Sequence, residues 1–230
     1  MKITIVLLPG LNGTSGLFNP LLKYTQDEFN VLAISYPCEI SKSYNELTSQ
    51  VLNEVKNIKG QYILLGESFS GPVALFISEK RPAGLIGVIL VASFVSAPNY
   101  KVGKYLPWSI GFSFAKPIYS IRSALSKKEN QSLISAISVE LQRVSPTVLA
   151  ARISEIFNVD ATQALRECNV PIVYFRGVKD FVVPKKNLKK ILALKSDVKV
   201  VEFNAQHFLL QSEPKQAAIE IQKFASECAE

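Results

Sequence analysis

Short apolar runs rich in β-branched residues alternate with longer amphipathic stretches along the chain. The runs cover 3–8, 31–35, 62–65, 88–92, 172–175 and 198–203. The central ones are apolar at consecutive positions, as strands of a parallel sheet buried on both faces must be. Between them, helical periodicity predicts helices over 43–58, 71–80, 184–194 and 214–228. Pro184 and Pro214 suit first-turn positions, where a missing N–H costs little. This alternation predicts an α/β fold, a doubly wound, mostly parallel six-stranded sheet, as one domain over 1–230.

One interval breaks the rhythm. Residues 97–157 contain no convincing strand; they begin loop-like, turn aromatic, and end in helical stretches near 127–142 and 146–157. An insertion of this length after the fourth strand is expected to form a helical lid. Trp108 and Phe112, in its aromatic part, are candidate substrate contacts.

Charge adds little to the fold but bears on partners. The chain carries a formal +7, and 97–157 holds eight basic residues against three acidic ones, most of that excess. A positive lid attracts an anionic ester or an acidic carrier protein; equally, the lysines can serve only to keep the lid soluble. No Lys/Arg run resembles a nucleic-acid arm, so no nucleic-acid partner is expected; the lysines at 185, 186, 189 and 190 read as a solvated helix face. The cysteines, Cys38, Cys168 and Cys228, are odd in number and scattered, which points to a reducing, cytoplasmic setting. The lone histidine, with no Cys/His cluster, argues against a metal, and no cofactor is expected. The apolar start is too short for a signal peptide, and no segment is long enough to span a membrane.

Four loops carry candidate chemistry. In Gly66-Glu67-Ser68-Phe69-Ser70-Gly71 a buried strand runs into a serine flanked by small residues, then into a helix. A nucleophilic serine needs such a sharp turn, and small neighbours relieve its crowding. The Phe69 N–H, at a helix start, faces developing negative charge. The competing reading is an ordinary strand–helix turn. Pro9-Gly10-Leu11-Asn12-Gly13, after the first strand, can offer the Leu11 N–H as a second oxyanion donor, or form a plain turn. A phosphate cradle is weak there, because no nucleotide fingerprint follows. Asp180 lies just beyond the fifth run, where a carboxylate also caps loops. His207 lies between the sixth run and the last helix. Ser68, Asp180 and His207 each follow a strand end in the order nucleophile, acid, base, so the three together are far more specific than any one.

These stretches resemble the α/β-hydrolase superfamily along nearly the whole chain. Gly66 to Gly71 looks like its nucleophile elbow, Pro9 to Gly13 its oxyanion loop, Gly177 to Pro184 its acid loop, and Gln206-His207-Phe208 its histidine loop. The resemblance implies strand order 2-1-3-4-5-6, which makes the Leu11 and Ser68 loops neighbours at the topological switch point. It departs at Ser70, where glycine is usual, at Pro9, where histidine is common, and in the two antiparallel leader strands, which have no counterpart. It further implies a serine hydrolase acting through an acyl-enzyme on a small-molecule carboxylic ester or thioester. Esterases of biotin-precursor synthesis, whose substrate rides on a carrier protein, are one resemblance of this kind. Two alternatives stand beside it: a menaquinone-pathway-like lyase on the same triad, and a non-catalytic binding protein on the fold.

Overall fold

The computed structural model describes residues 2–97 and 131–229. Six strands form one parallel sheet in the order β2-β1-β3-β4-β5-β6. They are β1 (Thr4–Leu8), β2 (Asn30–Ala33), β3 (Tyr62–Glu67), β4 (Leu85–Val91), β5 (Ile172–Gly177) and β6 (Lys199–Phe203). All five pairings are parallel.

Both sheet faces are covered, which explains the unbroken apolar runs. Successive residues of β3 go to opposite sides: Tyr62 and Leu64 join one core, Ile63 and Leu65 the other. The first core is closed by α2 (Tyr44–Val55), α3 (Gly71–Glu79), α6 (Thr162–Glu167) and α7 (Lys185–Leu194); the second by α1 (Asn19–Thr25) and the long α9 (Pro214–Ala229). A capping box starts α2: Ser43 Oγ accepts the Glu46 N–H, and the Glu46 carboxylate accepts the Ser43 N–H.

The periodicity misplaces some boundaries. β4 starts three residues before the expected 88, because Gly87 reads as a break but lies within the strand. A Cβ there would come 2.9 Å from both the Cys228 sulfur and the Phe224 ring, so glycine is what lets α9 pack close. Pro214 opens α9 as expected, whereas Pro184 is extended and precedes α7 as its N-cap. The short helices α1, α6 and α8 (Leu209–Ser212) have no periodic signal of their own.

Two helices between β4 and β5, α4 (Gln131–Gln142) and α5 (Pro146–Asn158), lie in the expected lid interval. Both contribute side chains to a cavity at the carboxyl ends of the strands. Trp108 and Phe112 lie outside the described residues. Among the described residues, no helix is long and apolar enough to cross a membrane.

Candidate active site

The register brings the loops together before any side chain is considered. Leu8 at the end of β1 pairs with Gly66 near the end of β3, so the chain leaves both strands side by side. Ser68 follows with φ of +48°, in the left-handed region that side chains avoid. A three-residue 3₁₀ turn (Ser68–Ser70) then leads into α3. Gly66 is required for this turn, since a Cβ there would lie 2.6 Å from the Ser70 carbonyl oxygen.

Ser70, where the resemblance expects glycine, has φ −88° and ψ 0°, which any residue adopts. Its hydroxyl, fully buried, lies 2.7 Å from the Tyr36 phenol and donates to the Pro9 carbonyl. The serine is thus a tie between the Ser68 turn and the loop after β1.

His207 joins the other two candidates. Its Nε2 lies 2.9 Å from Ser68 Oγ and its Nδ1 2.9 Å from Asp180 Oδ2. The other carboxylate oxygen of Asp180 accepts the N–H groups of Val182 and Val183 at 2.8 and 2.9 Å. The carboxylate is therefore oriented by its own loop before it meets the imidazole. That loop is in turn stitched to the histidine loop: Val178 N–H donates to Phe203 O, and Lys179 N–H to Ala205 O. A Cβ on Gly177 would lie 2.4 Å from the Gln206 carbonyl oxygen, so the two loops meet this closely only with glycine there.

Burial by itself would lower the His207 pKa, but the Asp180 carboxylate, by charge and hydrogen bond, and the Glu67 carboxylate more than offset it. The net direction is upward from the ordinary 6.5. Glu67 is itself buried beside the serine. Burial raises its pKa, against Gln211 Nε2, which donates to it at 2.9 Å, and against the nearby His207 and Gly10 N–H.

The two candidate oxyanion donors are set by what their partner carbonyls do. In a trans peptide the N–H points opposite to the preceding C=O. The Ser68 carbonyl accepts the Ser93 hydroxyl at 2.6 Å, and the Gly10 carbonyl accepts the Gly13 N–H at 2.9 Å. The Phe69 and Leu11 N–H groups therefore point the other way, and neither has an acceptor among the described residues. The Phe69 ring is buried, stacked on Tyr44 at 4.7 Å, and the Tyr44 phenol donates to the Phe69 carbonyl at 3.0 Å.

Above Ser68 lies a cavity of about 240 Å³. Its walls include Leu17, Phe94, Ile137, Ile153, Ile156 and Phe208, so among the described residues its lining is apolar apart from Asn12, Glu67 and the serine–histidine pair. Among the described residues no group of three or more His, Cys, Asp or Glu is placed to hold a metal.

Two contributors escaped the sequence reading. Ser93 follows β4 in an unremarked loop, and only the structure brings it to the Ser68 carbonyl. Arg152 belongs to the basic excess of the lid interval, yet it is 2% exposed and bonded to carbonyls of the loop after β1. A signal was present: Arg152 stands four residues after the buried Val148, on the apolar stripe of α5. Arg143, the other basic residue of the interval within the described residues, pairs with Glu140.

Comparison with known proteins agrees with this architecture. A 22% identical relative, over 211 residues covering 87% of this chain and 85% of that protein, is the pimeloyl-[acyl-carrier protein] methyl ester esterase of Legionella pneumophila (strain Corby). A thermophilic esterase from Thermogutta terrifontis superposes with TM-score 0.86 at 16% identity, over 99% of this chain and 91% of that one. An enol-lactonase from Burkholderia xenovorans LB400 gives 0.82 at 14% identity, over 98% and 92%. These structural likenesses concern the fold. The model of the alpha/beta hydrolase family matches residues 5–221, nearly the whole chain, and on that match the chain is an enzyme of the alpha/beta hydrolase family.

Proposed function

We propose that the chain is a serine hydrolase that cleaves a carboxylic ester through an acyl-enzyme. The observation that carries this is the relay Asp180–His207–Ser68, with both links at 2.9 Å. His207 Nε2 takes the proton as Ser68 Oγ attacks the ester carbonyl, and the carbonyl π electrons move onto oxygen. The N–H groups of Leu11 and Phe69 receive that oxyanion, each worth about 10²–10³ in rate. Collapse expels the alcohol, which takes the proton from His207 and leaves an acyl-serine. Water then attacks, again losing its proton to His207, and the carboxylic acid departs from a restored Ser68. Asp180 keeps the imidazole in the required tautomer and stabilises the imidazolium.

The apolar cavity favours an uncharged acyl chain on the Ser68 side. Esters are favoured over the anionic substrate of a lyase, because among the described residues no Lys or Arg lines the cavity, and Arg152 is committed to backbone carbonyls. Likeness to the pimeloyl-carrier esterase supports an ester presented on an acidic carrier protein, in the cytoplasm; the free state of all three cysteines fits that compartment.

The test is covalent labelling with a fluorophosphonate and turnover of p-nitrophenyl butyrate. Ser68→Ala should abolish both. Labelling that persists in that variant would remove Ser68 from its role, and a wild type that is labelled at Ser68 yet barely turns over the ester, with no acyl burst, would favour the lyase.

A further inference from the structure

Two charged side chains from α4 and α5 close on the loop after β1. Arg152 Nη1 donates to the carbonyls of Leu11 and Asn12, both at 2.9 Å, and Nη2 to that of Pro37 at 2.9 Å. Its guanidinium carbon lies 5.8 Å from the centre of the Tyr36 ring, and no carboxylate among the described residues pairs with it. On the other side Glu140, also buried, accepts the Thr14 hydroxyl, and Asn12 Nδ2 donates back to Thr14 Oγ1 at 2.7 Å. The loop is cut to receive both. A Cβ on Gly13, which has φ of +71°, would lie 2.3 Å from Arg152 Nη1, and one on Gly16 would lie 2.4 Å from Glu140 Oε1.

A buried cation whose bonds among the described residues all go to carbonyls is an expensive way to fill space, and a methionine would occupy much the same volume without the desolvation. Nor does it help solubility, since it barely meets solvent. What it does is fix successive peptide planes. The Leu11 and Asn12 carbonyls are drawn toward α5, while the Gly10 carbonyl is held by Gly13. The peptide carrying the Leu11 N–H is held through its Gly10 carbonyl by the Gly13 N–H, and Arg152 fixes the Asn12–Gly13 peptide that supplies this donor, as well as the Leu11–Asn12 peptide, by charge-assisted bonds.

We infer that Arg152 is a positioning residue for catalysis: seated α5 holds the Leu11 N–H in its donor orientation, with Glu140 steadying the far end of the same loop. This rests on the reading of Leu11 as an oxyanion donor to an ester bound at Ser68.

The experiment compares the full-length wild type with Arg152→Met, Arg152→Lys and Gly13→Ala, and with Ser68→Ala as the reference. Active sites are titrated by fluorophosphonate, and p-nitrophenyl butyrate turnover is expressed per titrated site. Arg152→Met should lower kcat by about 10–100-fold, with KM changed little. Affinity for a trifluoromethyl ketone, which mimics the tetrahedral adduct, should fall in step with kcat/KM. Arg152→Lys should recover part of the loss, because it restores the charge but not the fork. Gly13→Ala, which displaces the guanidinium with Arg152 intact, should repeat the pattern. If Arg152→Met and Gly13→Ala lower only the titratable fraction and Tm, leaving kcat per site and ketone affinity unchanged, the inference is overturned. Should Arg152→Met not fold, Gly13→Ala and Arg152→Lys decide by the same readouts. Undiminished labelling of Ser68→Ala would instead bring down the underlying hydrolase reading, so the two failures are distinct.

Discussion

The Ser70 hydroxyl lies 2.7 Å from the Tyr36 phenol and donates its hydrogen bond to the Pro9 carbonyl. Both side chains are buried. Ser70→Gly would restore the family's usual residue and yet leave the Tyr36 hydroxyl without its partner. The expected loss is about 1–3 kcal/mol of stability, the cost of an orphaned buried polar group. Thermal unfolding of Ser70→Gly, Tyr36→Phe and the double variant checks this. The double should lose less than the sum of the singles.

Asp180→Asn keeps the shape of the acid loop but offers His207 an amide in place of a carboxylate. In a serine protease the equivalent change costs about 10⁴ in kcat through the wrong tautomer. A loss of that order is expected here, with a near-native circular dichroism spectrum. A loss under tenfold would assign the role of Asp180 to its bonds with Val182 and Val183 alone.

The raised pKa of His207 gives opposite pH trends for activity and stability. As a base the imidazole must be neutral, so kcat/KM should rise with pH along a limb lying above the ordinary 6.5. The protonated form is held more tightly folded than unfolded. Its stabilisation is therefore complete below the unfolded value and is lost as pH rises through the raised folded value. Tm should accordingly decline across the same interval in which activity climbs. Glu67→Gln removes one of the carboxylates that raise His207, so its activity limb should move to lower pH. An unmoved limb would show that Glu67 is uncharged when His207 titrates.

Gly177→Ala would set a methyl group 2.4 Å from the Gln206 carbonyl oxygen, a backbone atom that cannot rotate away. The acid and histidine loops must then part. A loss of about 1–3 kcal/mol is expected, together with a fall in kcat larger than that of Ser70→Gly. Guanidinium chloride titration and site-titrated turnover measure the two effects separately.

Much of the architecture was legible because a parallel sheet buried on both faces writes itself as apolar runs, and β1, β3 and β5 stand where those runs predict. The three loops bearing Ser68, Asp180 and His207 were legible for a related reason: each follows a strand end, and strand ends in such a sheet share one edge. What stayed hidden depends on partners remote in sequence. Gly87 reads as a strand breaker until α9 is seen against it. Ser93 carries no local motif, and its meaning lies in a carbonyl 25 residues away. Arg152 looked like surface charge because composition cannot tell a solvated guanidinium from one turned inward onto a loop. Ser70 stands in the sequence only as a departure from glycine, because its two partners, Pro9 and Tyr36, belong to other segments.

The left-handed backbone of Ser68 implies a tax that the protein pays permanently for its chemistry. A non-glycine residue in that region costs about 1–2 kcal/mol, and here the residue concerned is the one proposed to react. Glycine at this position would relax the turn and remove the hydroxyl together. The inert protein should then outlast the working one on heating, a sign that durability was surrendered at this one residue to present an oxygen to the cavity.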